Sequence, residues 1–471
     1  MNQRSRDLIK NIISFAFGKI GVRLISFLLV PVYTHILSTD EYGTLDLIST
    51  VCTVLVPILT LNIYESVMRF CLDKGADREQ ILSIATSVLA VGSVVGLLII
   101  PISYLIPSFS SLSWYIYAYI VSAAVMQVFL AYLRGCERLN LYSIGNIIHT
   151  ALSAVLNIVF LVGLRMGVQG YLLAYILSNL ATAVFAVIVG QAYRAIKRFR
   201  FDKALINSML RFSVVLIPNS FMWWIINSSD RAMVTAMAGA AANGIYAIAY
   251  KVPSLLTAIS GVFNQSWIYT AIKENDSACA DQYHDSVYNR MAQTLICLVA
   301  FILVFLKPFM SVYTSKEYYI AWKYTPFLLI GFLFLSLGTF LSTSYTVNKN
   351  GMGFLLSGIV GAVLNILLNF SLIPIIGAMG ATIATCFSYI GVFAFRAVHT
   401  KKYVKIQTAR KGHLIGYLLL AVMSGIEFVD AFWGEVLLII LFSIILYLNR
   451  GLFIAMLGAL KTRRKEKRFY D

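Results

Sequence analysis

AVLNI, residues Ala154–Ile158, recurs as Ala362–Ile366, and each copy runs into a glycine pair spaced GxxG, Gly167 with Gly170 and then Gly377 with Gly380. The pentapeptides are 208 residues apart and the glycine pairs 210, so the chain is two related halves. Repeated halves in a helical membrane protein commonly hold a substrate between them. The GxxG pairs themselves fit close packing at a tight turn better than a contact with substrate.

A mean hydropathy of +0.80 with 13% charged residues places the chain in a bilayer, since soluble domains carry about a quarter charged residues. Crossing the ~30 Å hydrocarbon core takes roughly 20 apolar residues. Fourteen such runs can be marked: 11–36, 45–68, 81–106, 112–133, 142–163, 170–193, 211–230, 243–270, 289–313, 324–346, 353–373, 379–398, 414–430 and 436–459. The expected fold is therefore an all-α integral membrane protein. AVLNI falls in the fifth and the eleventh run, and six is an even number of crossings, so both copies cross in the same direction. This predicts a six-helix lobe over 1–200, a second over 201–400 related to it by an axis along the membrane normal, and over 401–471 two appended helices with a basic tail.

The net charge of +17 is distributed in a way that argues against nucleic acid as partner. With the N-terminus placed in the cytoplasm, inward segments hold 30 of the 38 Lys and Arg, and outward loops hold Arg165, Arg231, Lys307, Lys316 and Lys323. This is the positive-inside bias. It puts both termini in the cytoplasm. The three lysines of the 307–323 loop are the poorest fit to that count. The apolar stretch near the N-terminus is broken by Lys19 and Arg23 and has no small-x-small cleavage site, so it reads as a first span. The six cysteines lack CxxC spacing and are expected to be free thiols.

No segment between spans is long enough for a soluble domain, and P-loop, HExxH and GxSxG motifs are missing. The glycines Gly351, Gly353 and Gly358 are a weak phosphate-loop mimic and read as a turn between helices. A transporter is expected, with no catalytic residues, metal or cofactor, and with coupling to a proton or sodium gradient left open.

A charge near the bilayer centre costs about 2.5 to 3.5 kcal/mol on insertion scales and needs a partner, water or a task. Lys19 and Arg23, four residues apart, share one helix face about 6 Å apart along the axis. Lys251 lies in the eighth span, and Glu65 lies in the second, four residues before Arg69. Lys19 as a snorkelling side chain, Arg69 as an inner-surface anchor and Glu65 as a neutralising partner are the bland alternatives. Pro218 and Asn219 interrupt the seventh span ahead of Trp223, Trp224, Asn227, Asp230 and Arg231, so a kink and a hinge are expected there. Pro57 and Pro253 should bend the second and eighth spans. Asp230 with Arg231 reads either as an interfacial ion pair or as a gate contact.

The stretch LLVPVYTHILSTDEYGTLDLI (Leu28–Ile48) resembles the first-loop signature of Wzx-type polysaccharide and O-antigen repeat-unit flippases, a branch of the multidrug/oligosaccharidyl-lipid/polysaccharide (MOP) exporter superfamily. WWIINSSDRAMV (Trp223–Val234) and GIYAIAYKVPSLL (Gly244–Leu256) resemble its middle signature. The resemblance spans most of the chain and names no particular sugar. It implies a V-shaped pair of lobes about a cationic cavity lined by spans one, two, seven and eight. The implied activity is movement of undecaprenyl-diphosphate-linked oligosaccharide from inner to outer leaflet for surface polysaccharide or exopolysaccharide biosynthesis. On that basis Lys19, Arg23, Arg69 and Lys251 are candidate substrate-binding cations, Glu65, Asp230 and Arg231 candidate gate or ion-coupling groups, and Pro218 and Asn219 the hinge. Implied partners are the lipid-linked oligosaccharide, membrane lipid, and polysaccharide polymerase and export proteins. Competing readings are a multidrug exporter, which predicts an acidic cavity, a lipid II flippase, whose arginine pattern is not recognised here, and a membrane glycan ligase or polymerase, which predicts an outward catalytic loop.

Overall fold

The computed structural model describes residues 25–73, 75–193, 202–274, 279–348, 350–429, 431–452 and 454, and Lys19 and Arg23 lie outside them. All regular structure among the described residues is helical. Nine of these helices are long and apolar enough to cross a membrane, or ten with one bent pair counted as a single span. Shorter apolar helices occupy Ile25–Ile36, Lys411–Ile426 and Phe432–Leu448, where the first and the last two spans are expected. Val91, Val94, Leu98, Ile102 and Leu105 stand 58–81% exposed along one face, a surface suited to lipid and not to water. The protein is a multi-pass membrane protein. The chain divides into two compact units, Met1–Gly244 and Ile245–Asp471.

In the first unit α1 (Val30–Ile36) leads into α2 (Thr39–Leu59). Ser38 starts α2 with a capping box: its hydroxyl accepts from the Glu41 N–H at 3.2 Å and the Glu41 carboxylate accepts from the Ser38 N–H at 2.9 Å. The second span thus begins six residues before its expected start at 45. It also ends early, because Leu61 and Asn62 turn to positive φ, 49° and 55°. Pro57 has no N–H for the ladder, and the Asn62 N–H bonds back to the Pro57 carbonyl at 2.8 Å, closing the helix. A short helix α3 (Ile63–Phe70) follows, carrying Glu65 and Arg69. Then come α4 (Arg78–Gly96), α5 (Ile99–Tyr104), α6 (Ser113–Gly135), α7 (Leu139–Asn157) and α8 (Gly167–Val189). The expected seventh span is two helices, α9 (Lys203–Val214) and α10 (Ile217–Ala238). Pro218 sits in the first turn of α10, where a missing N–H removes no helical bond.

The helix α11 (Ala240–Ala249) crosses the boundary between the units, and α12 (Lys251–Glu274) continues it after a 42° bend. The second unit goes on with α13 (Ala280–Val304), α14 (Leu306–Tyr313), α15 (Thr325–Val347), α16 (Gly351–Ile376), α17 (Ala378–His399), α18 (Lys411–Ile426) and α19 (Phe432–Leu448). Arg396 binds three of them together while 5% exposed: its guanidinium donates to the Ser357 hydroxyl of α16 and the Gly338 carbonyl of α15, each at 3.0 Å. The appended pair is tied to α13, whose Asp281 and Asp285 accept from the Lys405 and Gln407 N–H groups at 3.1 and 2.9 Å. Arg410 pairs with Asp285, and His413 meets Asn289 at 2.8 Å.

Both GxxG pairs do the same mechanical work. Gly167 and Gly377 turn the chain at φ 54° and 60°. A Cβ on Gly170 would lie 2.8 Å from the Met166 Cβ, and one on Gly380 would lie 2.5 Å from the Leu372 backbone. The first glycine makes the turn and the second lets the next helix lie against the preceding segment. The copies differ upstream, since α7 gives way after Asn157 to a π-helical turn, Ile158–Gly163, while α16 runs unbroken through Ile366.

Candidate functional site

Two of the stretches that carry the family resemblance, Leu28–Ile48 and Trp223–Val234, meet in the first unit together with Gly244, the first residue of the third. α2 and the start of α11 touch backbone to backbone: a Cβ on Gly43 would fall 1.8 Å from the Ala240 carbonyl oxygen, and one on Gly244 would fall 2.0 Å from that of Thr39. Only glycine fits at either position. The contact buries Asn243 completely, with its Nδ2 donating to the Gly43 carbonyl at 2.9 Å and lying 3.4 Å from Asp46 Oδ2. The other carboxylate oxygen of Asp46 accepts from Arg231 Nη1 at 2.8 Å, the two side chains being 9% and 22% exposed. Asp230 is buried, and its Oδ1 accepts from the Arg231 backbone N–H at 2.9 Å.

From this cluster a line of polar contacts runs down α2 and α3 and up α10 and α9. Trp224 Nε1 donates to the Thr50 carbonyl at 2.9 Å, Asn62 Nδ2 to the Ser220 hydroxyl at 3.1 Å, and the Ser66 hydroxyl to the Met209 carbonyl at 2.6 Å. Partner numbers fall on one side as they rise on the other, so the two interrupted helices run antiparallel. Their interruptions are adjacent: Asn62, in the break between α2 and α3, holds Ser220, beside the break between α9 and α10. Interrupted helices inside a membrane persist where freed backbone groups find side-chain or backbone partners.

The structure bears on several of the expected residues. Arg231 reaches across to Asp46, 185 positions away in sequence, while Asp230 accepts from the Arg231 backbone N–H. Arg69 is exposed and pairs with Asp73, one turn on in sequence and past the end of α3, at 2.5 Å, the geometry of a surface anchor. Pro218 does not kink a continuous helix but begins α10, with Asn219 in the same first turn. Glu65 is half-buried in the first turn of α3, where a carboxylate faces the positive end of the helix dipole. Lys251 is half-buried and is the first residue of α12, directly after the 42° bend, with Pro253 two residues on.

Asp46 and Asn243 are site residues that hydropathy alone passes over. The signal for Asp46 is the S-x-x-E capping box at Ser38 and Glu41, which starts the helix at 39 and so carries Asp46 two turns inside it. Asn243 has no local signal beyond its neighbour Gly244.

With this geometry in hand, a model of the family described as "Polysaccharide biosynthesis protein" matches residues 8–268, which contain every residue of the cluster. The chain belongs to that family. No curated protein matches it in sequence. Among solved structures it is similar to a lipid II flippase, MurJ, in an inward closed conformation, at 14% identity and a TM-score of 0.62, covering 95% of this chain and 99% of that one. An inward-facing multidrug resistance MATE transporter of the MOP superfamily gives 15% identity and a TM-score of 0.64, with coverages of 87% and 99%. A MOP-superfamily transporter from Pyrococcus furiosus gives 14%, 0.56, 89% and 96%. The protein therefore shares the fold of these MOP-superfamily transporters and of the lipid II flippase.

Proposed function

We propose that the protein is a flippase that carries polyprenyl-diphosphate-linked oligosaccharide repeat units from the inner to the outer leaflet for surface polysaccharide biosynthesis. The observation that carries the reading is the family match over residues 8–268, which takes in the buried Asp46–Arg231–Asn243 cluster and both paired helix breaks. Lys19, Arg23 and Lys251 are the cations proposed to meet the diphosphate during the cycle, by charge-assisted hydrogen bonds. Arg69, already held by Asp73, serves in this reading as an inner-surface anchor. Asp46, held by Arg231, and the buried Asp230 are a proposed place for a coupling proton or sodium ion alongside Glu65. The adjacent breaks at Asn62 and Pro218–Asn219 are the proposed hinge.

A deletion strain with no redundant flippase tests this. It should accumulate the lipid-linked unit on the cytoplasmic face, and the wild-type gene should restore surface glycan while Lys251→Ala does not. Normal surface glycan in the deletion strain sinks the proposal. Rescue of a lipid II flippase depletion, or drug resistance on overexpression with surface glycan unchanged, would move the assignment to another branch of the superfamily.

A further inference from the structure

The turn between α18 and α19 borders a cavity that the transport reading does not use. Glu427 follows α18, is 2% exposed, and its Oε1 has no hydrogen-bond partner among the described residues. It lines a cavity of about 480 Å3 together with Lys307 of α14 and Glu435 of α19. The Lys307 ammonium lies 4.4 Å from the Trp322 ring centroid, which fixes it at this end of the cavity. Burial pushes the Glu427 carboxyl up to about 7, with Lys307 opposing the rise and Glu435 adding to it. With both acids ionised the group is one positive charge short.

Beyond Glu435 the lining is apolar except for Ser443. Leu438, Ile439, Phe442 and Leu446 form one wall, and Val304 and Phe305 stand opposite. From Glu435 to Leu446 the helix rises about 16 Å at 1.5 Å per residue. That is close to the ~15 Å depth of one leaflet, half of the ~30 Å core.

We propose that this trough is a binding site for a phospholipid with a primary-amine head group. The ammonium would meet Glu427 and Glu435, the phosphate would meet Lys307, and one acyl chain would lie along α19. The buried Glu427 oxygen lacks an N–H donor. A primary ammonium supplies three, a quaternary choline group supplies none, and a glycerol head group brings no positive charge.

The test uses the full-length protein in detergent, offered phosphatidylethanolamine, phosphatidylcholine and phosphatidylglycerol with matched acyl chains, with retained lipid read by native mass spectrometry. Wild type should retain the ethanolamine lipid at least about 10-fold better than either other lipid, the ratio that one added charge-assisted contact supports. Glu427→Gln and Glu435→Gln should each bring it to parity with phosphatidylcholine, and Ile439→Trp, which fills the trough, should lower all three. Equal retention of the three lipids by wild type overturns the proposal. So does an ethanolamine preference that survives in both glutamine variants, or retention of a polyisoprenol as strong as that of the ethanolamine lipid.

Discussion

Replacing Arg231 by methionine keeps most of the side-chain volume and removes the charge that Asp46 faces. Two unit charges about 4 Å apart at an effective dielectric near 20 attract by about 4 kcal/mol. Breaking a buried pair by removing one partner costs about 3 to 5 kcal/mol, because the remaining charge is stranded. Asp46 is 9% exposed, and its other near contact is Asn243 Nδ2 at 3.4 Å, too long to replace a guanidinium. Arg231 at 22% exposure keeps some access to solvent, so the lower end applies and Arg231→Met should cost about 3 kcal/mol. Asp46→Asn keeps an oxygen for the guanidinium and loses the charge; it should cost about 2 kcal/mol. The double variant strands neither charge, so it should be less destabilised than the sum of the singles by about 2 kcal/mol. Denaturant midpoints of the four proteins in one detergent, followed by tryptophan fluorescence, give the cycle. Single costs below about 0.5 kcal/mol that add in the double variant would refute the claim that this pair holds α10 to α2.

Gly43→Ala or Gly244→Ala should lower the amount of folded protein and shift its melting down, because each new methyl meets backbone at 2.0 Å or less, whereas Gly412→Ala, with nothing within 4 Å, should behave as wild type. Arg396→Ala should cost about 2 to 4 kcal/mol in denaturant unfolding, since it leaves the Gly338 carbonyl and the Ser357 hydroxyl without their buried donor. Glu427 sets a pH dependence whose sign follows from its raised pKa: the folded protein keeps this proton up to about pH 7 while the unfolded chain releases it near 4.5. The contribution of Glu427 to stability is therefore greatest below about pH 4.5 and falls as pH rises through 7, by about 3 kcal/mol at most. Melting of Glu427→Gln between pH 5 and 8 should lack that part of the decline, and an unchanged slope would remove Glu427 as its source.

The lysines of the 307–323 loop show how a feature at odds with the sequence pattern can be explained by packing. They weaken the positive-inside count, yet Lys307 and Lys323 lie over the Trp322 ring and Lys307 shares a cavity with Glu427 and Glu435. Membrane residence and the helix-turning glycines were legible in the sequence. Each rests on hydropathy over about 20 residues or on backbone conformation within one turn. The breaks near Pro57, Pro218 and Pro253 were legible for the same reason, though not their form: a left-handed turn at Asn62, a fresh helix start at Ile217 and a 42° bend before Lys251. The pairing of Arg231 with Asp46, the meeting of the breaks through Asn62 and Ser220, and the cavity behind Glu427 joining α14 to α19 belong to the tertiary structure alone. Their partners are 185, 158 and 120 or more positions apart in the chain. Helical periodicity places a side chain on a face of its own helix; which other helix covers that face is decided by the packing of the whole unit.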